Sequence, residues 1–86
     1  MKQARTVTVR LDEELLTLGR ACGVLRRQNL PIRDFSVVSN GHAGTWKLSC
    51  VIEADDAALQ GLVLQINNVI GVHETTVTPS FLSEVQ

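Results

Sequence analysis

Between Thr6 and Leu11 polar and apolar side chains alternate without a break, with Val7, Val9 and Leu11 on one face and Thr6, Thr8 and Arg10 on the other. A period of two predicts a half-buried strand. The period then changes. Leu15, Leu18, Cys22 and Leu25 recur at helical spacing, which predicts an amphipathic helix with these four on its core stripe. Asp12 is placed to cap this helix, with Glu13 and Glu14 in its first turn and Arg26 and Arg27 at its end, each charge matched to the helix dipole. Gly19 and Gly23, one turn apart, predict the close approach of another backbone. Pro31 forces Leu30 out of the helical region and ends the segment.

Ile32 to Ser39 reads as a second strand with Phe35 and Val37 facing the core and Asp34 and Ser36 facing away. The run Asn40-Gly41-His42-Ala43-Gly44 predicts a hairpin loop. Thr45 to Ala54 is the return strand, its core face formed by Trp46, Leu48, Cys50 and Ile52. Asp55 caps a second helix over Asp56 to Ile70, with Leu59, Leu62, Val63, Ile66, Val69 and Ile70 as its apolar arc and Gly71 as its C-terminal stop. Val72 to Thr78 is a last strand, and residues from Pro79 onward form a tail. The order is β-α-β-β-α-β. With right-handed crossovers this closes as a ferredoxin-like α+β sandwich, one four-stranded antiparallel sheet carrying both helices on one face. The first and third strands lie in the middle, and Ile32–Ser39 and Val72–Thr78 are the edges.

Eighty-six residues form one domain, expected to span 1–86 with its core over 6–78. A domain of this size buries too little surface to be strongly stable alone, which favours a partner subunit. Net charge is −1, without the basic excess of a duplex-binding protein. The aromatics are Phe35, Trp46 and Phe81 alone, and the open sheet face reads Thr8, Arg10, Asp34, Ser36, Ser49 and Glu53. Nothing there stacks bases, so nucleic acid is not an expected partner. The most apolar stretch, Ala57 to Val72, is interrupted by Gln60, Gln65, Asn67 and Asn68, so no membrane partner is expected. The first ten residues lack the apolar run of a signal peptide. Cys22 and Cys50 sit at apolar positions and lack metal-ligand spacing, which predicts reduced core thiols, no metal, and a cytoplasmic setting.

Catalysis finds no foothold. A copper-chaperone domain of this fold needs paired cysteines where Leu11-Asp12-Glu13-Glu14 stands. His42 falls in the hairpin loop, and His73 has Glu74 beside it and Asp34 across the fold as its nearest carboxylates. Neither arrangement supplies a nucleophile and an oriented base. Helix capping accounts for Asp12-Glu13-Glu14. No catalytic residue and no cofactor is expected.

Two stretches carry a family resemblance. Gly23 to Val37 combines an apolar helix end, the pair Arg26-Arg27, Asn29, and a strand opening on Ile32. Leu59 to Val72 contains Gln65-Ile66-Asn67-Asn68-Val69-Ile70-Gly71-Val72. Both resemble the ACT domain, the small amino-acid-sensing module of the same fold. The second is similar to a segment of the small regulatory subunits of acetolactate synthase, a thiamine-diphosphate enzyme of branched-chain amino acid synthesis. The resemblance implies a non-catalytic regulatory or stabilising subunit that docks on a large catalytic subunit. It also implies a homodimer paired at the second strand through Ile32, Asp34, Ser36 and Val38, an edge with no proline or lysine run to protect it. The alternative it leaves open is a free-standing ACT homodimer that senses an amino acid at its interface.

The effector residues implied by the resemblance are Asp12, Glu13, Leu16 and Ile32. Here the chain departs from the family pattern, because Leu16 stands where a glycine lets helix N–H groups approach a carboxylate. Glu13 stands at the family's Asn position and repels such a ligand, and Asp12 competes for the same N–H groups. Weak or absent binding of free amino acids is the expectation. Leu16, Val24 and Leu64 fall off the core arcs of the two helices and are the candidate contacts for a partner protein.

Overall fold

The computed structural model describes residues 3–39, 41 and 44–79. Asn40, His42 and Ala43 of the expected hairpin loop, and the expected tail beyond Pro79, lie outside the described residues. The elements follow as β1 (Gln3–Asp12), α1 (Leu15–Gln28), β2 (Ile32–Ser39), β3 (Thr45–Ala54), α2 (Asp56–Asn67) and β4 (Val72–Pro79). The four strands form one sheet in the order β2-β3-β1-β4, and every neighbouring pair is antiparallel. This is the ferredoxin-like βαββαβ fold, with β1 and β3 in the centre as the alternation requires.

The core lies between one sheet face and the helices. Val7, Val9 and Leu11 of β1 and Leu48, Cys50 and Ile52 of β3 are all buried. Their register opposes Val7 to Cys50 and Val9 to Leu48, so the two inner strands present one continuous apolar face. Leu59, Leu62 and Ile66 of α2 and Ala21, Val24 and Leu25 of α1 close over it. Burying each large aliphatic side chain contributes roughly 1.5–3 kcal/mol.

Helix α1 departs from the expected stripe. Its buried residues are Thr17, Ala21, Val24 and Leu25, while Leu18 and Cys22 pack on the flank and Leu15 is 77% exposed. The reason is where the helix begins. β1 runs on to Asp12, which pairs with Thr45 of β3, so Asp12 belongs to the strand and caps nothing. Glu14 is the N-cap and makes no side-chain cap bond, and no acidic residue occupies the first turn. Thr17 is buried, and its hydroxyl donates to Glu14 Oε1 at 3.1 Å, which satisfies the polar group there. At the other end Asn29 takes the left-handed conformation (φ 54°) and its N–H donates to the Arg26 carbonyl, stopping the helix before Pro31 is reached.

Helix α2 begins as expected, with Asp55 accepting from the Ala58 N–H at 2.8 Å. It ends three residues earlier, at Asn67, so Gly71 is not its stop. Ile70 leaves the core arc and is 82% exposed. Gly71, at φ 100°, instead turns the chain into β4, where its carbonyl accepts the Asp12 N–H at 2.8 Å.

Both edge strands carry a bulge. On β2, Arg33 opposes Val51 and Ser36 opposes Ser49, so Asp34 and Phe35 share the space opposite Cys50. Asp34 has φ 55°, and Phe35 is half-exposed rather than seated in the core. On β4, Glu74 opposes Arg10 and Val72 opposes Leu11, which leaves His73 as the extra residue.

Candidate functional site

The corner where β1 passes into α1 is tied by backbone bonds to two distant segments and closed by a third, local bond. Asp12 N–H donates to Gly71, Glu13 N–H donates to the Gly44 carbonyl at 2.9 Å, and Glu14 N–H returns to Asp12. Asp12 then directs its carboxylate across the corner, where its Oδ1 lies 2.6 Å from His73 Nε2. His73 is therefore paired with Asp12, not with Glu74 or Asp34. Glu74 faces Arg10 at 3.7 Å, and Asp34 pairs with its neighbour Arg33 at 3.1 Å. The bulge turns His73 toward Asp12, which a strict alternation along β4 conceals.

Asp12, Glu13 and Leu16 thus sit together at this corner. Leu16 is 63% exposed, so it projects to solvent from the first turn of α1. Ile32 is elsewhere. It pairs with Ile52, seven positions along β3 from the Thr45 that pairs with Asp12, which places it at the opposite end of the sheet of the same chain. The remaining expected edge residues, Asp34, Ser36 and Val38, do lie on β2, which is an edge strand. The bulge at Asp34 and Phe35 interrupts the ladder there, leaving Ser36–Ser39 as the regular stretch. A bulge is one of the features that work against pairing at a sheet edge, and the sequence pattern gives no sign of it.

Of the three candidate partner contacts, Leu16 and Leu64 are exposed, while Val24 is 3% exposed and belongs to the core. Leu64 borders a groove of ≈ 510 Å³ shared with Val63, Val77 and the ion pair Arg5–Asp56, whose N···O distance is 2.8 Å. Arg5 reaches from β1 to the first turn of α2, a link that its place before the alternating run does not reveal. A second groove follows α1 past Leu16, Gly19 and Gly23 to Val69. The glycines meet no other backbone: nothing approaches a Cβ at Gly19 within 4 Å, and only Arg27 Nη1 stands near Gly23, at 3.5 Å. On the open sheet face Thr8, Arg10, Lys47, Glu74 and Thr76 line a small polar hollow of ≈ 140 Å³.

Cys22 and Cys50 are both free thiols. Burial pushes the Cys50 thiol up to about 11, with a smaller contribution from Cys22, and burial also raises Cys22. Thiols held protonated in this way are poor nucleophiles. Among the described residues no cluster of three or more His, Cys, Asp or Glu is placed to hold a metal ion. Nor is any helix of the described residues long and apolar enough to cross a membrane.

No family model matches the chain, and no curated protein matches it. Solved structures do. The ACT domain from GTP pyrophosphokinase of Chlorobium tepidum is similar with a TM-score of 0.78 at 15% identity, over 90% of this chain and 99% of that one. An uncharacterized protein from Thermotoga maritima gives 0.79 at 12% identity, over 93% and 99%. The C-terminal domain of the MgtC protein from Mycobacterium tuberculosis gives 0.69 at 16% identity, over 87% and 84%. At these identities the likeness is one of fold. The chain has the fold of an ACT domain.

Proposed function

We propose that the chain is a non-catalytic regulatory subunit of ACT type that docks on a larger enzyme. The observation that carries this reading is the match to an ACT domain over nearly the whole length of both chains. Within it, the finer assignment is the small subunit of acetolactate synthase, supported by the similarity of Gly23–Val37 and Leu59–Val72 to that family. The groove beside Leu64, apolar at Val63 and Val77 and lined also by the Arg5–Asp56 pair, is the docking face for the catalytic subunit. Free thiols at Cys22 and Cys50 suit a cytoplasmic setting. Co-expression with a tagged acetolactate synthase large subunit tests the assignment. Stoichiometric co-purification that Leu64→Asp abolishes supports it, and a large subunit that elutes alone at full activity rejects it.

A second reading, an ACT homodimer that senses an amino acid, is favoured by one observation. Asp12 is turned to His73 and no side chain caps α1, so the first-turn N–H groups are not taken by Asp12 as the sequence suggests. Glu13 and Glu14 remain beside them and oppose a carboxylate ligand.

A further inference from the structure

Leu64 is 66% exposed on α2. A single exposed leucine carries no meaning, but this one borders the ≈ 510 Å³ groove between α2 and the outer strand β4. Leu59 and Val63 form the helix side of that groove and Val77 the strand side. Its charged lining neutralises itself, since Arg5 lies 2.8 Å from Asp56. What is left to recognise is apolar surface.

β4 delivers the chain to this groove. Its last residue, Pro79, stands opposite Arg5 in the sheet, and Arg5 is itself part of the groove lining. Residues 80–86 follow, reading Ser-Phe-Leu-Ser-Glu-Val-Gln. Phe81 and Leu82 are the large apolar pair among them. Pro79-Ser80 suits a chain reversal, with proline at the second position of a turn. A reversal there returns Phe81 and Leu82 alongside Val77, two residues back on β4. The reach is sufficient. On α2 the lining runs from Asp56 to Leu64, about 12 Å of helix, and four extended residues cover about 13 Å. A segment tethered this closely meets the groove at an effective concentration of about millimolar, an advantage that no free peptide shares.

We propose that residues 80–86 occupy this groove, with Phe81 and Leu82 seated between Val63 and Val77 and covering Leu64. The covered wall is the surface proposed for the catalytic subunit. Docking then displaces the segment, and the free chain holds its docking face shut. Occupancy stands independently of the docking reading, and only the displacement rests on it.

Methyl NMR on the intact chain tests occupancy. Phe35 and Trp46, the other two aromatics, lie on β2 and β3, whereas the groove flanks β4 at the opposite edge of the sheet. A ring-current shift at the Val63, Leu64 or Val77 methyls that Phe81→Leu removes therefore comes from Phe81. Expected are such shifts, together with Overhauser contacts from the Phe81 ring to those methyls that Leu64→Asp abolishes. Methyl signals that Phe81→Leu leaves in place, with no contacts from its ring, overturn occupancy. Removing residues 80–86 keeps all of β4 and tests displacement. A groove shut nine-tenths of the time costs a partner about 10-fold in apparent affinity, so the shortened chain should bind the tagged large subunit about 10-fold more tightly. Equal binding by the two chains overturns displacement. Phe81 contacts in a chain that the large subunit never binds uphold occupancy and reject the docking reading alone.

Discussion

The side chain of Thr17 lies against the backbone of Gly71 so closely that a Cβ at position 71 would stand 2.8 Å from Thr17 Oγ1 and 2.9 Å from its Cγ2. Thr17 is the buried polar residue of the core layer, and Gly71 is the residue at φ 100° that turns the chain into β4. The contact locks α1 to the start of β4.

Gly71→Ala is therefore expected to be strongly destabilising. The backbone conformation costs a non-glycine residue about 1–3 kcal/mol, and overpacking against Thr17 adds about 1–3 kcal/mol. Denaturant unfolding measures the sum. Adding Thr17→Ala should recover the steric part and leave the backbone part, and a Gly71→Ala chain as stable as the original contradicts the contact.

Two aspartates that look alike in sequence should behave differently. Asp55→Ala removes a cap bond and is expected to cost about 1 kcal/mol. Asp12→Ala removes no cap, only an exposed pairing with His73, for which about 0–1 kcal/mol is the usual range. Urea midpoints for the two variants, and for His73→Gln alongside them, check the order. An Asp12→Ala loss that persists in full when His73 is already Gln shows that the pair is not its source.

Cys50 sets an alkaline limit. Its thiol is raised from 9.0 to about 11 in the folded chain, so folding favours the protonated form. That contribution is complete below pH 9 and disappears as pH rises through about 11. The chain has no tyrosine, which keeps the window free of phenol titration. Unfolding free energy should fall between pH 9 and 11, and Cys50→Val should flatten that fall. In the same range a thiol reagent should modify the half-buried Cys22 before Cys50.

The β-α-β-β-α-β order was legible because β1 and β3 alternate strictly and β2 and β3 keep the bounds that their turn residues mark. The inner strands have a core on one face only, so period two and burial coincide at Val7, Val9, Leu48, Cys50 and Ile52. Helix α1 was less legible. Its interior is lined by Thr17 and Ala21, small residues that hydropathy underrates, whereas Leu15 and Leu16 are apolar and exposed. The site was legible only in part. Bulges at Asp34 and His73 leave no mark in a periodic pattern, so the Asp12–His73 pair and the interrupted edge emerge only from the register.

Branched-chain amino acids should leave the melting temperature unmoved at millimolar concentration. A ligand at about 100 times its dissociation constant stabilises a fold by roughly 2.7 kcal/mol, a shift that a melting curve resolves. Glu13 and Glu14 oppose the ligand's carboxylate, and the corner of the chain that holds them is far from Ile32. A saturable shift with valine, leucine or isoleucine would establish the sensor reading instead.

The paired bulges also bear on polymerisation. A four-stranded sheet with two bare edges can in principle add copies indefinitely, β2 of one against β4 of the next, because a head-to-tail contact of that kind never closes. Here each outer strand is kinked by one extra residue, at Asp34 on one side and His73 on the other, while β1 and β3 pair with each other in unbroken register. Strands that bend out of line cannot template long ladders. Edge-to-edge growth of such a ladder therefore requires that one of these two kinks first be ironed flat.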